Sequence, residues 1–200
     1  MGTATVLAPA ERDAYIENGD QLKQPEFHRR YALHPEIKKA ELIEGTVYMA
    51  SPASAQHGEP HAELIFWLKS YANAHPELGL RIYDNTTFII DDENEHQPDI
   101  LVRRSLQAPD GSIVDKYIYG SPSLIVEVAA TSASIDLGPK KRVYARAGVS
   151  EYVVYRSLDR EADWFDLHEG DFRRITANAD GQLESTQYPG LRFPSSLLGR

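Results

Sequence analysis

Six consecutive residues, Leu124-Ile125-Val126-Glu127-Val128-Ala129, constrain this chain more than any other stretch. Apolar side chains continue there without alternation, the pattern of a strand covered on both faces and so of a sheet with layers on either side. Glu127 stands in the middle of that run. An ionised carboxylate in such surroundings is costly unless it is paired or bound to a cation, so Glu127 demands a partner. Two readings are open: a structural ion pair with a basic residue, or a ligand of a metal ion.

The rest of the pattern supplies the layers. Pro25 to Tyr31 reads as a short helix, and Ala40 to Met49 as a hairpin turning at Glu44-Gly45. Ala62, Ile65, Leu68 and Ala72 recur at helical spacing up to Pro76. Strands are expected at Leu80 to Tyr83, Thr86 to Ile90, Asp99 to Arg103 and Glu151 to Arg156, with Asp91 to His96 as a polar, solvated turn. A helix entered through Thr131 to Ser134 ends near Gly148, and the tail forms a meander with turns at His168 to Asp171 and Asp180-Gly181. At 200 residues, one domain over residues 25–200 is expected, behind a frayed arm at 1–24 with a short helix after Pro9 and a break at Asn18-Gly19.

Composition removes several classes of function. There is no cysteine, which excludes disulfide scaffolds, thiolate metal sites and cysteine nucleophiles and is compatible with the cytoplasm, the expected location. No apolar run is long enough to span a bilayer, so no membrane partner is expected. With 21 Lys and Arg against 30 Asp and Glu, the net charge of −9 argues against general electrostatic coating of nucleic acid. Contact with phosphates would need a local site, for which Arg103, Arg104, Lys141, Arg142 and Arg146 are candidates.

Two further residues join Glu127. Asp99 follows Pro98 at the start of its strand; if that strand neighbours the Glu127 strand, period-two geometry lets both acids project from one face near the same end. A turn or capping role is the alternative for Asp99. On a helix taken at about 100° per residue from Leu137, Lys140 falls at about −60°, inside the apolar arc of Tyr144, Ala147 and Val143. It either snorkels past the sheet edge or reaches the carboxylates.

Pro98-Asp99, Glu127 within an apolar strand and an inward lysine resemble the PD-(D/E)xK nuclease superfamily. Gln97 to Ile100, Ile125 to Val128, Asp136-Leu137-Gly138 with Lys140, and Tyr144 to Val149 leading into Glu151-Tyr152 are more closely similar to the Uma-two family of restriction-endonuclease-like proteins. Glu41 to Gly45, Ser51-Pro52 and His57 resemble that family's opening. The superfamily's commonest pattern places its lysine two residues after the glutamate, where this chain has Ala129, so the resemblance implies a lysine moved to Lys140. It further implies an α/β (α+β) fold: a mixed central sheet flanked by helices, with an added N-terminal hairpin and C-terminal meander. Asp99, Glu127, Lys140, Glu44 and His57 are the implied catalytic set. Asp99, Glu127, Glu44 and the Val128 carbonyl are the implied ligands of Mg²⁺, with Mn²⁺ as substitute. The implied reaction is phosphodiester hydrolysis in nucleic acid, DNA before RNA, by a chain that could act as a homodimer. The rival is a non-catalytic interaction or nucleic-acid-binding protein on the same scaffold, with Glu127 and Lys140 as a structural salt bridge.

A zinc helix at His57 and His61 is set aside because the metalloprotease spacing is missing and Pro60 intervenes. A calcium loop at Asp91 to Glu95 lacks its glycine and closing glutamate. Trp67 and Trp164 read as packing residues.

Overall fold

The computed structural model describes residues 15–104 and 116–199. Ten strands divide between two sheets. The larger carries β3 (Leu80–Asp84), β6 (Ile100–Arg104), β7 (Leu124–Ala129), β8 (Glu151–Arg156), β9 (Glu161–His168) and β10 (Asp171–Arg174), in the spatial order β10-β9-β8-β7-β6-β3. Only β7 and β8 run parallel; every other neighbouring pair is antiparallel. The smaller sheet has the order β2-β1-β5-β4, built from β1 (Ala40–Ile43), β2 (Thr46–Met49), β4 (Phe88–Asp91) and β5 (Asn94–His96).

Strand β7 is buried at all six positions, as its unbroken apolar pattern requires. On one face, Val126 and Val128 pack with Leu64 and Leu68 of α2 (Ala55–Ala74) and with Tyr188, Leu191 and Phe193 of the tail. On the other, Ile125 and Ala129 meet Tyr144, Val149, Tyr152 and Phe88. Glu127 alternates with Val126 and Val128 and therefore faces the second cluster. A parallel pair needs a crossover. Here it consists of α3 (Ala133–Ile135), a π-helical turn at Asp136–Lys140 and α4 (Lys141–Arg146). Beneath the hairpin, Ile16, Phe27, Leu42 and Val47 form a third cluster with α1 (Gln24–Tyr31).

Several expectations need correction. The segment Asp91 to His96 is a solvated turn only in its first half: Asp91 to Glu93 are exposed, with Asp92-Glu93 turning β4 into β5, whereas Asn94, Glu95 and His96 form β5 and are buried. The sequence looks like a turn because its residues are polar, but Gln24 and His28 of α1 hydrogen-bond to Glu95 at 2.6 and 2.8 Å, and Asn94 bonds to Asp91 at 2.7 Å. Of the expected arm, Ile16 is buried, while Gly19 and Leu22 donate backbone hydrogen bonds to Val47 and Gly45. This part is docked on the hairpin rather than frayed. The short helix expected after Pro9 lies outside the described residues. Helix α2 begins at Ala55 instead of Ala62 and runs through Pro60, so His57 is inside its first turns.

Candidate active site

Asp99 immediately precedes β6, and β6 pairs with β7 through Ile100 opposite Val126. That register sets Asp99 beside Glu127 just past the end of the ladder. The two acids tie the strands together: the Asp99 N–H donates to Glu127 Oε2 at 3.3 Å, and the Val128 N–H donates to Asp99 Oδ2 at 2.8 Å. The Ala129 carbonyl accepts from Ser157 on the β8 side, so strand alternation turns the Val128 peptide groups toward Asp99.

The crossover delivers the lysine. Lys140 is 3% exposed, and its Nζ lies 3.0 Å from Glu127 Oε1, 2.8 Å from Glu41 Oε2 and 3.6 Å from Asp136 Oδ1. The Tyr144 hydroxyl, one helical turn on, donates to Glu127 Oε1 at 2.9 Å. At the other end, Lys39 Nζ donates to Asp99 Oδ1 at 2.7 Å and His57 Nε2 lies 3.1 Å from Asp99 Oδ2. Lys39 and His57 are the partly exposed members, so the pocket meets solvent on their side.

A family model described as "Putative restriction endonuclease" matches residues 24–194. The chain belongs to the Uma2 family. Among solved structures it resembles "a putative nuclease belonging to DUF820" from Anabaena variabilis, with a TM-score of 0.62 and 13% identity, over 74% of this chain and 82% of that one. No curated protein matches it. The likeness shows the expected fold class, a mixed α and β architecture shared with that structure.

In this Uma2 chain the structure brings Asp99, Glu127, Lys140 and His57 into one pocket and leaves Glu44 out. Glu44 is the first turn residue of the hairpin, with φ at 49°, and its carboxylate pairs at the surface with Arg142 and Arg146 at 3.0 and 3.3 Å. The acid in the pocket is instead Glu41, in the middle of β1, whose Oε1 also accepts from the Gln97 N–H at 2.7 Å. Glu41 carries the same signal as Glu127, an acid inside a strand buried at all four positions, and could have been read from Ala40-Glu41-Leu42-Ile43. Asp136 was signalled by standing four residues before Lys140. Nothing in the periodicity singles out Lys39 or His96. Three of the five basic residues expected near phosphates are engaged: Arg142 and Arg146 with Glu44, and Lys141 over the Phe165 ring at 3.8 Å.

The electrostatics follow from burial. Burial pushes the Glu127 carboxyl up; the Lys140 ammonium opposes this, the charges of Asp99, Asp136 and Glu41 reinforce it, and the balance stands at about 8. Asp99 goes the other way: burial raises it, but the His57 hydrogen bond and the Lys39 ammonium hold it well below the usual carboxylate range. With Asp99 ionised and accepting, the shared proton sits on His57 Nε2. Lys140 loses to burial but gains more from Glu127, Glu41 and Asp136, and remains a fixed cation. His96, edge-on to the Tyr144 ring at 5.1 Å, is held neutral by burial, its pKa lowered to about 3.

The donor chemistry fits a hard divalent cation. Glu41, Asp99, Glu127 and Asp136 share the pocket with only two ammonium groups, Lys39 and Lys140. Full ionisation leaves an excess of negative charge that one divalent ion would neutralise, and this excess adds to burial in holding the Glu127 carboxyl up. Among the described residues no three His, Asp or Glu side chains are already arranged as a metal cage.

Proposed function

We propose that this chain is a metal-dependent endonuclease that hydrolyses phosphodiester bonds in nucleic acid, with DNA as substrate and Mg²⁺ as cofactor, replaceable by Mn²⁺. One observation carries the reading: two acids of adjacent strands, Asp99 and Glu127, share a buried pocket with an ammonium supplied by the crossover, Lys140. Family membership supports it.

Asp99, Glu127 and the Val128 carbonyl would hold the ion, with Glu41 beside them. When bound, such an ion polarises the scissile phosphate and acidifies a water molecule. Hydrolysis adds the water oxygen to phosphorus, breaks one P–O bond and passes a proton to the departing oxygen, leaving one hydroxyl and one phosphomonoester end. Lys140 contributes a fixed positive charge where negative charge builds on the phosphoryl oxygens, and it cannot swing away because Glu41 and Glu127 hold it. His57 and Lys39 fix the Asp99 carboxylate in its ionised form at the open side of the pocket.

The test is titration calorimetry with Mg²⁺ and Mn²⁺, paired with incubation on duplex DNA, single-stranded DNA and RNA. The wild type is expected to take up metal and cut, and Glu127→Gln to do neither while keeping its circular dichroism spectrum. A wild type that takes up no divalent ion overturns the proposal. The 3.0 Å Lys140–Glu127 contact favours a second reading, a structural ion pair on a non-catalytic scaffold. Under it, wild type and Glu127→Gln are alike in ignoring metal and leaving all three nucleic acids intact.

A further inference from the structure

Fourteen of the 21 basic residues are arginines, and most of those described have a partner. Among the described residues, the arginines of α1, of the crossover, of β8 to β10 and of the tail all make an ion pair or hydrogen bond, Arg192 with Glu184 at 2.9 Å being typical. Arg81, Arg103 and Arg104 make none.

Two of these three stand directly opposite each other. The β3–β6 register pairs Arg81 with Arg103, next to Ile82 with Val102 and Tyr83 with Leu101. Ile82 and Val102 belong to the core on the α2 side, whereas Tyr83 and Leu101 belong to the opposite one. Alternation therefore places Arg81 and Arg103 on the face of Tyr83 and Leu101, and Arg104 on the other. Residues opposite one another on one face have Cβ atoms about 5 Å apart, and like charges so placed are destabilising. A protein with a net charge of −9 keeps this repulsion where β6 meets the edge strand β3, with no carboxylate paired to either guanidinium among the described residues.

The same face carries the pocket. Asp99, Leu101 and Arg103 are alternate residues of one extended segment, so Asp99 and Glu127 lie on the sheet face that carries Arg81 and Arg103, with the buried Leu101 between them. Four residues of strand put Arg103 about 13 Å from Asp99. That distance corresponds to an advance of about four base pairs along a duplex axis at about 3.4 Å each. We propose that Arg81 and Arg103 form a two-arginine phosphate clamp that grips the nucleic-acid backbone beside the bond held at Asp99 and Glu127. The clamp rests on the nuclease reading and names a contact that holds the substrate backbone about 13 Å from the pocket. Guanidinium pairs suit phosphate because each presents a rigid fork of donors, and the phosphate removes the repulsion between them.

The experiment is fluorescence anisotropy with labelled duplex DNA, single-stranded DNA and RNA in EDTA, so that no strand is cut, over a series of salt concentrations. Each phosphate contact contributes about 0.9 to the slope of log affinity against log salt on duplex and about 0.7 on single strands. Arg81→Ala/Arg103→Ala is expected to lower the slope by about 1.8 or 1.4 and to weaken duplex binding about 30-fold near physiological salt. Its melting temperature should stay level or rise, because a like-charge pair has been removed. Arg192→Ala, which removes a paired arginine, should keep the wild-type slope. If the double variant keeps the wild-type slope, the clamp is overturned while the nuclease reading stands. If the wild type binds no nucleic acid under these conditions, the clamp fails as well, whereas the nuclease reading is decided by metal uptake and cleavage.

Discussion

Glu127 Oε1 receives two donors, the Lys140 ammonium and the Tyr144 hydroxyl, while Oε2 receives only the 3.3 Å contact from the Asp99 N–H. The carboxylate is thus anchored by one oxygen and presents the other toward Asp99. Tyr144→Phe removes one anchor and leaves the packing intact; because Glu127 holds its proton below about pH 8, the bond joins neutral groups there, and a loss of about 0.5 to 1.5 kcal/mol is expected in urea unfolding at pH 7. A loss below that range would show that Lys140 alone orients the acid. The Glu127 carboxyl also sets a pH dependence. Its folded value of about 8 lies above the unfolded one of about 4.3, so the folded state holds the extra proton between them. Its contribution to stability is complete below the unfolded value and is lost as pH rises through about 8. Metal-free protein should therefore lose stability from pH 5 to 8 by up to about 1.4 kcal/mol per unit, and Glu127→Gln should flatten that slope. Glu127, Asp99 and Lys140 were legible because each breaks a local rule: an acid in an apolar run, an acid after a proline at a strand start, a lysine on an inward arc. Glu41 broke the same rule as Glu127, but the neighbouring Glu44-Gly45 turn drew the assignment three residues downstream.

Among the elements, the crossover departs most from what regular periodicity describes. Its middle turn, Asp136–Lys140, is π-helical and contains Gly138 and Pro139. Proline has no N–H to give to the turn before it, and a widened turn is one way a helix accommodates that loss. Lys140 still faces inward because the apolar residues after it, Val143 and Tyr144, fix the orientation of α4 against the sheet. The helix then stops at Gly148, whose φ of 74° suits glycine and whose Cβ, were there one, would stand 3.0 Å from Ser121 Oγ. Gly148→Ala should cost about 1 to 2 kcal/mol from the left-handed backbone alone, measured as a shift in the urea midpoint. Strand β5 was illegible for the opposite reason. Its residues are polar throughout: Glu95 is held by Gln24 and His28 of α1, far away in sequence, Asn94 by Asp91 and the Glu44 N–H, and His96 is buried with neither ring nitrogen hydrogen-bonded among the described residues.

At the scale of the molecule, a second buried acid serves the architecture alone. Glu151, at the start of β8 and fully buried, accepts from Ser185, Thr186, Gln187 and the Trp164 indole at 2.7 to 3.2 Å. These bonds clip the tail, which then lays Tyr188, Leu191 and Phe193 onto the core. Glu151→Ala should make the tail after β10 the first site of limited proteolysis without moving the candidate pocket, checked by mass spectrometry of the fragments. The expected meander holds for β9 and β10, which turn at His168 to Asp171 on the sheet edge, whereas the segment after β10 is bound through backbone and hydroxyl donors to a single carboxylate, which alternation does not describe. The parallel β7–β8 pair has the widest effect. Its two strands can join only when the segment between them has closed over Glu127, and that segment carries the ammonium which neutralises the acid. Assembly of the sheet and completion of the candidate pocket are consequently one event. Amide hydrogens at residues 125–128 and 141–146 should exchange with solvent at a common rate, and no loosened form of this chain should retain a working pocket.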